Sequence, residues 1–317
     1  MSVRQHGAME HTIPPCDLDE VRRYRLARIQ TELVRQDLAG IILYDQLNTR
    51  YATDSTNMQI WCSHNEARYV YVPADSSAII FEFGGKPLLT EGLPGIERVL
   101  KPKTFFYLSA GQHVTERAVA WGAEMDAIIR EHSGGNQRIA IDRIAPIGVQ
   151  VMEQLGYEIH DGFTIMEKAR EIKCAGEIAL MRKSIEVCEQ AVQRMHEVLK
   201  PGITENALWA ELHRGNIAGG GEWIETRLLS SGPRTNPWYR ECSMRPIEKG
   251  DMVSFDTDLI GPYGYCCDMS RSWICDAEPD DEQKRLYAAA YEQIKKNMSL
   301  LKPGLGYREL TEKLHPL

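Results

Sequence analysis

The 317-residue chain has neither a long hydrophobic run nor a cluster of basic residues. No stretch approaches the roughly 18 apolar residues of a membrane-spanning helix, and the opening MSVRQHGAMEHTIPP lacks the apolar region of a signal peptide. The 37 Lys and Arg residues face 45 Asp and Glu residues, which gives a formal net charge of −8. We therefore expect neither a membrane nor a nucleic acid as a partner.

The eight cysteines form neither a CxxC pair nor a regular framework. Cys266 and Cys267 are adjacent, and we expect them to be packed thiols rather than a bridge. Secreted proteins commonly rely on disulfides, whereas a reducing cytoplasm keeps thiols free. The sequence therefore predicts a cytoplasmic protein.

The length of the chain, 317 residues and 36.0 kDa, predicts two domains, because it exceeds one ordinary core. Strand and helix signals alternate in the first half, beginning with an amphipathic helix at Leu18–Leu38. AGIILYD and RIAIDR are strand-like, and YVYVPADSSAIIFEF resembles a strand pair. VTERAVAWGAEMDAIIREHSGG predicts a helix that ends at Gly134-Gly135. This pattern predicts an α/β domain over residues 1–165, and we place an α+β domain at 166–317.

Within the second domain, EKAREIKCAGEIALMRKSIEVCEQAVQRMHEVLKPG predicts a near-continuous helix, and Thr204 is a candidate cap for the next one. WIETRLLSS, MVSFDTDLIG and YCCDMSRSWIC are strand-like, and DDEQKRLYAAAYEQIKKNMSLL is helical. The segments VLKPGITENALWAEL (198–212) and LLKPGLGYRELTEKL (300–314) match at an offset of 102 residues. The shared apolar positions indicate an internal duplication, with chance recurrence of a helix terminator as the alternative. If the two segments come from a duplication, we expect the chain to stop partway through the second half of the duplicated fold.

The stretch SFDTDLIGPYGYCCD places Asp256, Asp258 and Asp268 around a Pro-Tyr-Gly turn. Residues two apart on a strand share a face, so Asp256 and Asp258 are expected to point the same way. A three-residue loop, predicted as a type I turn that begins at Pro262 and is followed by Gly264 at positive φ, would set Asp258 opposite Asp268 on that face. The turn therefore predicts that the three carboxylates converge.

Three converging carboxylates repel one another unless their pKa values rise or cations lie between them. A solvated polar hairpin face is the alternative, because aspartate is usually exposed. Against it, Val253, Phe255, Leu259 and Trp273 indicate a sheet with one packed face. The sequence therefore predicts a site for a divalent metal ion.

Four features together resemble the creatinase/aminopeptidase P family: the α/β domain, the connector EKAREIKCAGEIALMR, the duplicated halves and the paired aspartates on a hairpin. The resemblance implies a pita-bread fold for residues 166–317, incomplete at its C-terminal side, and a dinuclear metal site. Peptidases of the family carry a histidine just upstream, whereas Trp238 stands near that position here. Asp258 adds a further carboxylate to the family's usual pair.

NTRYATDSTNMQ (48–59), GGEWIETRLLSSGPRTNPW (220–238) and SFDTDLIGPYGYCCDMSRSW (254–273) resemble the dimethylsulfoniopropionate lyase branch of the family. The resemblance implies Asp256, Asp258 and Asp268 as ligands of two divalent metal ions, with iron as the first candidate and manganese, cobalt or zinc as alternatives. It also implies a β-elimination that releases dimethyl sulfide and acrylate from a small zwitterionic substrate.

The family completes its site with one histidine and two glutamates further along, and nothing in this sequence matches them. His315 lies too soon after the second Lys-Pro-Gly (residues 302–304) to be the missing ligand. We expect it to be a surface or terminal histidine. The catalytic base is therefore unknown, and we expect weak metal binding and no activity from the 317-residue chain alone.

The sulfonium group of such a substrate is a fixed cation, which aromatic faces bind well. Trp238 and Trp223 flank the predicted site strands and are candidates for that contact, with an ordinary core position as the alternative for each. Arg234, in a Gly-Pro turn, is a candidate to bind a substrate carboxylate, with a solvated loop arginine as the alternative.

Two other functions compete with the lyase. One is a metallohydrolase of the Xaa-Pro dipeptidase or creatinase type, which the absence of the upstream histidine weakens. The other is a non-catalytic member of the family with an incomplete site. A homodimer is expected.

Overall fold

The computed structural model describes residues 14–85 and 87–315. The prediction that the opening of the chain lacks a signal peptide concerns mainly residues 1–13. These residues lie outside the described residues. The chain divides into two compact units, residues 1–183 and 184–317. This division falls later in the chain than the expected boundary at residue 165, and the two domains proposed from the sequence stay a prediction.

A mixed β-sheet forms the centre of the first unit. Its strands are β1 (Gly40–Leu43), β2 (Tyr69–Pro73), β3 (Ala78–Phe81), β4 (Ile96–Leu100), β5 (Arg138–Ile141) and β6 (Glu158–Asp161). They lie in the order β4-β3-β2-β1-β5-β6, with β1 antiparallel to β2 and parallel to β5. Every residue of β1, β2 and β3 is buried, because the sheet is covered on both faces.

Helices cover the two faces of this sheet. The helices of this unit are α1 (Leu18–Arg35), α2 (Gln46–Thr53), α3 (Gln59–His64), α4 (Tyr107–Ala110), α5 (Val114–His132), α6 (Pro146–Gln154) and α7 (Gly162–Glu171). Side chains of α1, α2 and α7 pack in the core on one face, and side chains of α5 and α6 pack in the core on the other. Ile42 belongs to the cluster around Trp121 of α5, whereas its neighbour Ile41 belongs to the cluster around Ile29 of α1. Successive strand residues thus enter opposite cores, as the strand period of two requires. The helices and strands predicted for this half are present.

The prediction of one near-continuous helix after Glu167 is wrong. The backbone of Ile172 is extended and ends α7, and a new helix, α8 (Ala175–Val198), follows. The N–H of Cys174 donates a hydrogen bond to the Glu177 carboxylate (3.0 Å), which satisfies a backbone donor where α8 begins. The interruption therefore comes from a local capping contact that the apolar period does not reveal.

The second unit combines helices with short antiparallel strands. The helices after α8 are α9 (Glu205–Ala218), α10 (Asp281–Leu300) and α11 (Tyr307–Lys313), and the strands are β7 (Trp223–Ile224), β8 (Leu229–Ser231), β9 (Met252–Asp256), β10 (Leu259–Ile260), β11 (Cys266–Cys267) and β12 (Ser270–Ile274). The strands pair in the orders β11-β10-β7 and β12-β9-β8. Side chains of α8 and α9 pack with these strands around Trp209 and Phe255. Thr204 caps α9 as expected, because its hydroxyl accepts the N–H of Ala207 (3.1 Å).

The boundaries on either side of the Lys-Pro-Gly segments repeat in the last four helices. Helix α8 ends at Val198 and α10 at Leu300, while α9 begins at Glu205 and α11 at Tyr307. The glycine of each intervening KPG has positive φ, 90° at Gly202 and 85° at Gly304. The backbone therefore supports the duplication. Among the described residues, no helix has the length and apolar character that a bilayer crossing requires.

Candidate metal centre

Asp256, Asp258 and Asp268 converge in the second unit. A carboxylate oxygen of each lies within 4.8 Å of the corresponding oxygens of the other two. No other set of three or more His, Cys, Asp or Glu side chains in the described part of the chain is arranged to hold a metal ion. The predicted convergence is confirmed.

The strand register produces this convergence. Ser270 of β12 pairs with Asp256 of β9, and Cys267 of β11 pairs with Leu259 of β10. Both pairings belong to the same antiparallel register, and that register sets Asp258 opposite Asp268. The side chains can therefore meet across the hairpin.

The turn has the predicted length, although its conformation differs from the expected one. The N–H of Gly261 donates to the carbonyl of Tyr265 (2.9 Å), which encloses three loop residues. Gly264 has φ 76°, as predicted, but Tyr263 is also left-handed at φ 62°. A simple type I turn has its second central residue at negative φ, so that expectation is wrong. The register still holds because it depends on the number of loop residues.

The prediction that Asp256 and Asp258 share one continuous strand is wrong. Strand β9 ends at Asp256, β10 begins at Leu259, and Asp258 has φ 36°. Thr257 is fully buried at this break. Its hydroxyl donates to the carbonyl of Cys267 (3.3 Å) and accepts the N–H of Met269 (2.9 Å). The Thr257 side chain therefore takes the place of backbone hydrogen bonds between the strands. The aspartates thus flank an interruption in the sheet.

Crowding of the carboxylates changes the protonation of Asp268. A hydrogen bond with Asp256, partial burial and repulsion from Asp256 and Asp258 raise the pKa of Asp268 to about 6. A bound cation would oppose this shift, since it favours the ionised carboxylate. The repulsion that raises the pKa of Asp268 is therefore one that a bound cation would relieve.

Two hydroxyl groups orient the carboxylates. The Thr226 hydroxyl donates to Oδ2 of Asp258 (2.7 Å), and the Ser270 hydroxyl donates to Oδ1 of Asp256 (3.0 Å). Hydrogen bonds of this kind hold metal-ligating carboxylates in place. The sequence analysis missed both residues. The sequence offered a signal for Ser270, because this residue stands two positions after Asp268 on the same arm of the hairpin. It offered no such signal for Thr226, which is distant from the aspartates in the sequence.

This donor set fits a divalent ion of the hard or borderline class. Carboxylate oxygens are suitable ligands for such ions, and the three groups are close enough to share one. His315 is not part of the cluster; its backbone N–H donates to Asn297 (2.9 Å). The expectation that His315 is not a ligand stays a prediction.

The predicted substrate residues occupy two different places. Trp223 is half-buried in β7, opposite Ile260 of β10. Trp238 is half-buried in the segment between β8 and β9, with its ring centroid 6.3 Å from that of Tyr239. Arg234 is engaged within the protein, because its Nε lies 3.2 Å from Glu205 and its Nη2 donates to the carbonyl of Glu241 (2.7 Å). Contact of these three side chains with a substrate stays a prediction.

Comparison with known proteins identifies the family. Residues 179–316 match the model of metallopeptidase family M24. Over 307 residues the chain is 42 % identical to the dimethylsulfoniopropionate lyase DddP of Roseovarius nubinhibens, an alignment that covers 95 % of this chain and 69 % of that protein. The chain belongs to the DddP family. The DddP of Roseobacter denitrificans is 40 % identical with the same coverage.

Solved structures confirm the pita-bread fold of this chain. The Xaa-Pro dipeptidase from Bacillus anthracis aligns with a TM-score of 0.71 at 20 % identity, over 91 % of this chain and 75 % of that one. The prolidase from Pyrococcus horikoshii aligns with a TM-score of 0.67 at 19 % identity, over 90 % of this chain and 74 % of that one. At this identity the likeness shows the fold alone. The resemblance to the creatinase/aminopeptidase P family and its lyase branch is confirmed.

Proposed function

We propose that the protein is a metal-dependent lyase that cleaves dimethylsulfoniopropionate to dimethyl sulfide and acrylate. The convergence of Asp256, Asp258 and Asp268 carries this proposal, because these three carboxylates give a DddP-family chain a site for divalent metal. The relatives at 42 % and 40 % identity are named for this activity.

The three aspartates would hold divalent metal, two ions by analogy with the family, with iron as the first candidate and manganese, cobalt or zinc as alternatives. When bound, the metal supplies positive charge that polarises the substrate carboxylate and acidifies the neighbouring C–H group. Thr226 and Ser270 keep Asp258 and Asp256 oriented through their hydrogen bonds.

The reaction is a β-elimination. A proton leaves the α-carbon, the C–S bond breaks, and its electron pair departs with dimethyl sulfide, so that acrylate remains. Trp238 and Trp223 offer aromatic faces to the sulfonium cation, and the acidic cluster adds negative potential that attracts it. No described residue is assigned as the base.

A paired assay tests this function. The protein as its source organism makes it is loaded with Fe(II) without oxygen, then given dimethylsulfoniopropionate or an Xaa-Pro dipeptide. We expect metal-dependent dimethyl sulfide release and little proline release. Proline release without dimethyl sulfide would instead favour the dipeptidase function.

An Asp268→Ala variant links the activity to the cluster. Removing this carboxylate leaves the metal poorly held, so dimethyl sulfide release should be abolished. Glu278→Gln is the matched control, because it removes an exposed carboxylate from the same unit, outside the cluster. Equal loss in both variants would contradict a specific role for Asp268.

We further propose a cytoplasmic homodimer. All eight cysteines lie in the described residues and none forms a disulfide, which is consistent with a reducing compartment. Light scattering coupled to size-exclusion chromatography tests the assembly: a mass of about twice 36.0 kDa is expected, and a mass of one chain would contradict it.

A further inference from the structure

Glu205, the first residue of α9, is a fully buried carboxylate. Its Oε1 accepts the backbone N–H (2.9 Å) and the hydroxyl (2.7 Å) of Ser231. Its Oε2 accepts the backbone N–H (2.9 Å) and the hydroxyl (2.5 Å) of Ser243. Burying a charge is unfavourable unless hydrogen bonds compensate it, and here two serines occupy both oxygens.

The two serines flank one loop, one on each side. Ser231 is the last residue of β8, and Ser243 follows the segment 232–242, which we call the tryptophan loop because it contains Trp238. Arg234, inside the tryptophan loop, adds an ion pair to Oε1 of Glu205 (3.2 Å). A single carboxylate therefore binds both ends of the loop and one of its internal side chains.

The tip of the tryptophan loop, around Trp238 and Tyr239, is partly exposed to solvent. Tyr239, next to Trp238, is 77 % exposed and has φ 74°. The side-chain hydrogen bonds found within the loop, from Arg234 to the carbonyl of Glu241 and from Thr235 to that of Gly232, lie toward its ends. The position of the tip therefore depends on how firmly the ends are held.

The returning arm of the tryptophan loop lies beside the aspartate cluster. Glu241 forms an antiparallel bridge with Leu228, and the N–H of Cys242 donates to the carbonyl of Arg227 (2.9 Å). The carbonyl of Leu228 also accepts the N–H of Asp256 (2.9 Å). One strand segment thus connects the loop to a candidate metal ligand.

We propose that Glu205 is a positioning residue that clamps the two ends of the tryptophan loop and thereby places Trp238 for substrate binding. The identity of the substrate rests on the proposed function, whereas the clamp rests on contacts within this chain. Glu205 acts through the loop and does not bind the metal.

Trypsin cleavage after Arg240 tests the clamp without any activity assay. Glu205→Gln keeps the shape of the side chain, but its amide nitrogen cannot accept a backbone N–H. In the full-length protein we expect cleavage after Arg240 to be about fivefold or more faster, because local opening of the loop becomes easier. Ser243→Ala removes a single hydroxyl donor and should give a smaller increase, which serves as a second variant if Glu205→Gln folds poorly.

Glu211→Gln is the matched control. Glu211 lies on the same helix and pairs with Arg194 at the surface (3.0 Å), so its substitution should leave cleavage after Arg240 unchanged. Equal cleavage rates at Arg240 for Glu205→Gln and Glu211→Gln would overturn the proposal. An increase spread evenly over all tryptic sites would also overturn it, because that pattern reports general unfolding.

A double-mutant cycle tests the action through Trp238. Binding of dimethylsulfoniopropionate to the metal-loaded protein is measured by calorimetry, and Mn(II) affinity is measured separately. Glu205→Gln should weaken substrate binding about fivefold without changing Mn(II) affinity, and it should have little further effect in a Trp238→Ala background. Additive effects would overturn the proposal. If the unmodified protein does not bind this substrate, the proposed function fails, and the trypsin comparison decides the clamp alone.

Discussion

Helices α8 and α9 can be compared directly with α10 and α11, because the end of the first helix and the start of the second differ between the pairs by the 102-residue offset of the duplication. In the first pair, α9 buries Leu208, Trp209 and Leu212 against the strands. In the second pair, no residue of α10 or α11 is buried. Matching inner boundaries with unequal burial show that the helix ends beside each Lys-Pro-Gly follow local signals, whereas burial depends on contacts with distant parts of the chain.

The largest expected difference between the two helix pairs concerns their matched leucines. Leu208 is fully buried, whereas Leu310 is only partly buried. Leu208→Ala should lower the free energy of unfolding by about 2–5 kcal/mol, since it leaves a cavity. Leu310→Ala should change it by less than about 0.5 kcal/mol. Urea denaturation measures both, and equal losses would show that α11 is packed as firmly as α9.

Asp268 lies among the strands that pack beside α9, and it should make the stability of the protein depend on pH. Its pKa is raised from 3.8 to about 6, first by the hydrogen bond with Asp256. The stability that this group contributes is therefore present below the unfolded value and is lost as pH rises through about 6. In metal-free protein, the fall in melting temperature between about pH 4.5 and 7 should be smaller for Asp268→Asn than for the unmodified chain.

Metal binding should reverse this trend. The carboxylate must lose its proton to bind a metal ion, so Mn(II) affinity should rise by about tenfold per pH unit below pH 6 and level off above it. Calorimetric titration across this range measures the affinity. A flat profile in the unmodified protein would argue against Asp268 as a ligand.

A smaller effect is expected at the helix starts. Thr204 caps α9 with its hydroxyl, whereas Gly306 stands before α11 without a side-chain cap. Thr204→Ala should cost about 1 kcal/mol of stability. Gly306→Ser should slow amide exchange in α11 with a gain of only a few tenths of a kcal/mol. Faster exchange in α11 of Gly306→Ser would contradict the local account of these boundaries.

The features that the sequence predicted depend on neighbouring residues. The KPG terminators and the Thr204 cap are local, and so is the three-residue loop that sets Asp258 opposite Asp268. For the same reason the convergence of the aspartates followed from counting residues, although the expected continuous strand did not form.

The features that were missed depend on distant contacts. The interruption at Thr257 requires Cys267 and Met269 as hydrogen-bond partners across the hairpin. Glu205 resembles an ordinary exposed residue in the first turn of a helix, and only the folded chain brings Ser231 and Ser243 to its carboxylate. Local periodicity contains no information about either arrangement.

The proposed function requires that Asp256, Asp258 and Asp268 form a metal site. Anomalous diffraction from crystals soaked in Mn(II) at about pH 7.5 is the decisive experiment, because the method locates the ion itself. We expect an anomalous peak with oxygens of all three carboxylates at about 2.0–2.3 Å, and no such peak in Asp268→Ala. Crystals of the unmodified protein with no peak between the three carboxylates would show that they do not form a metal site.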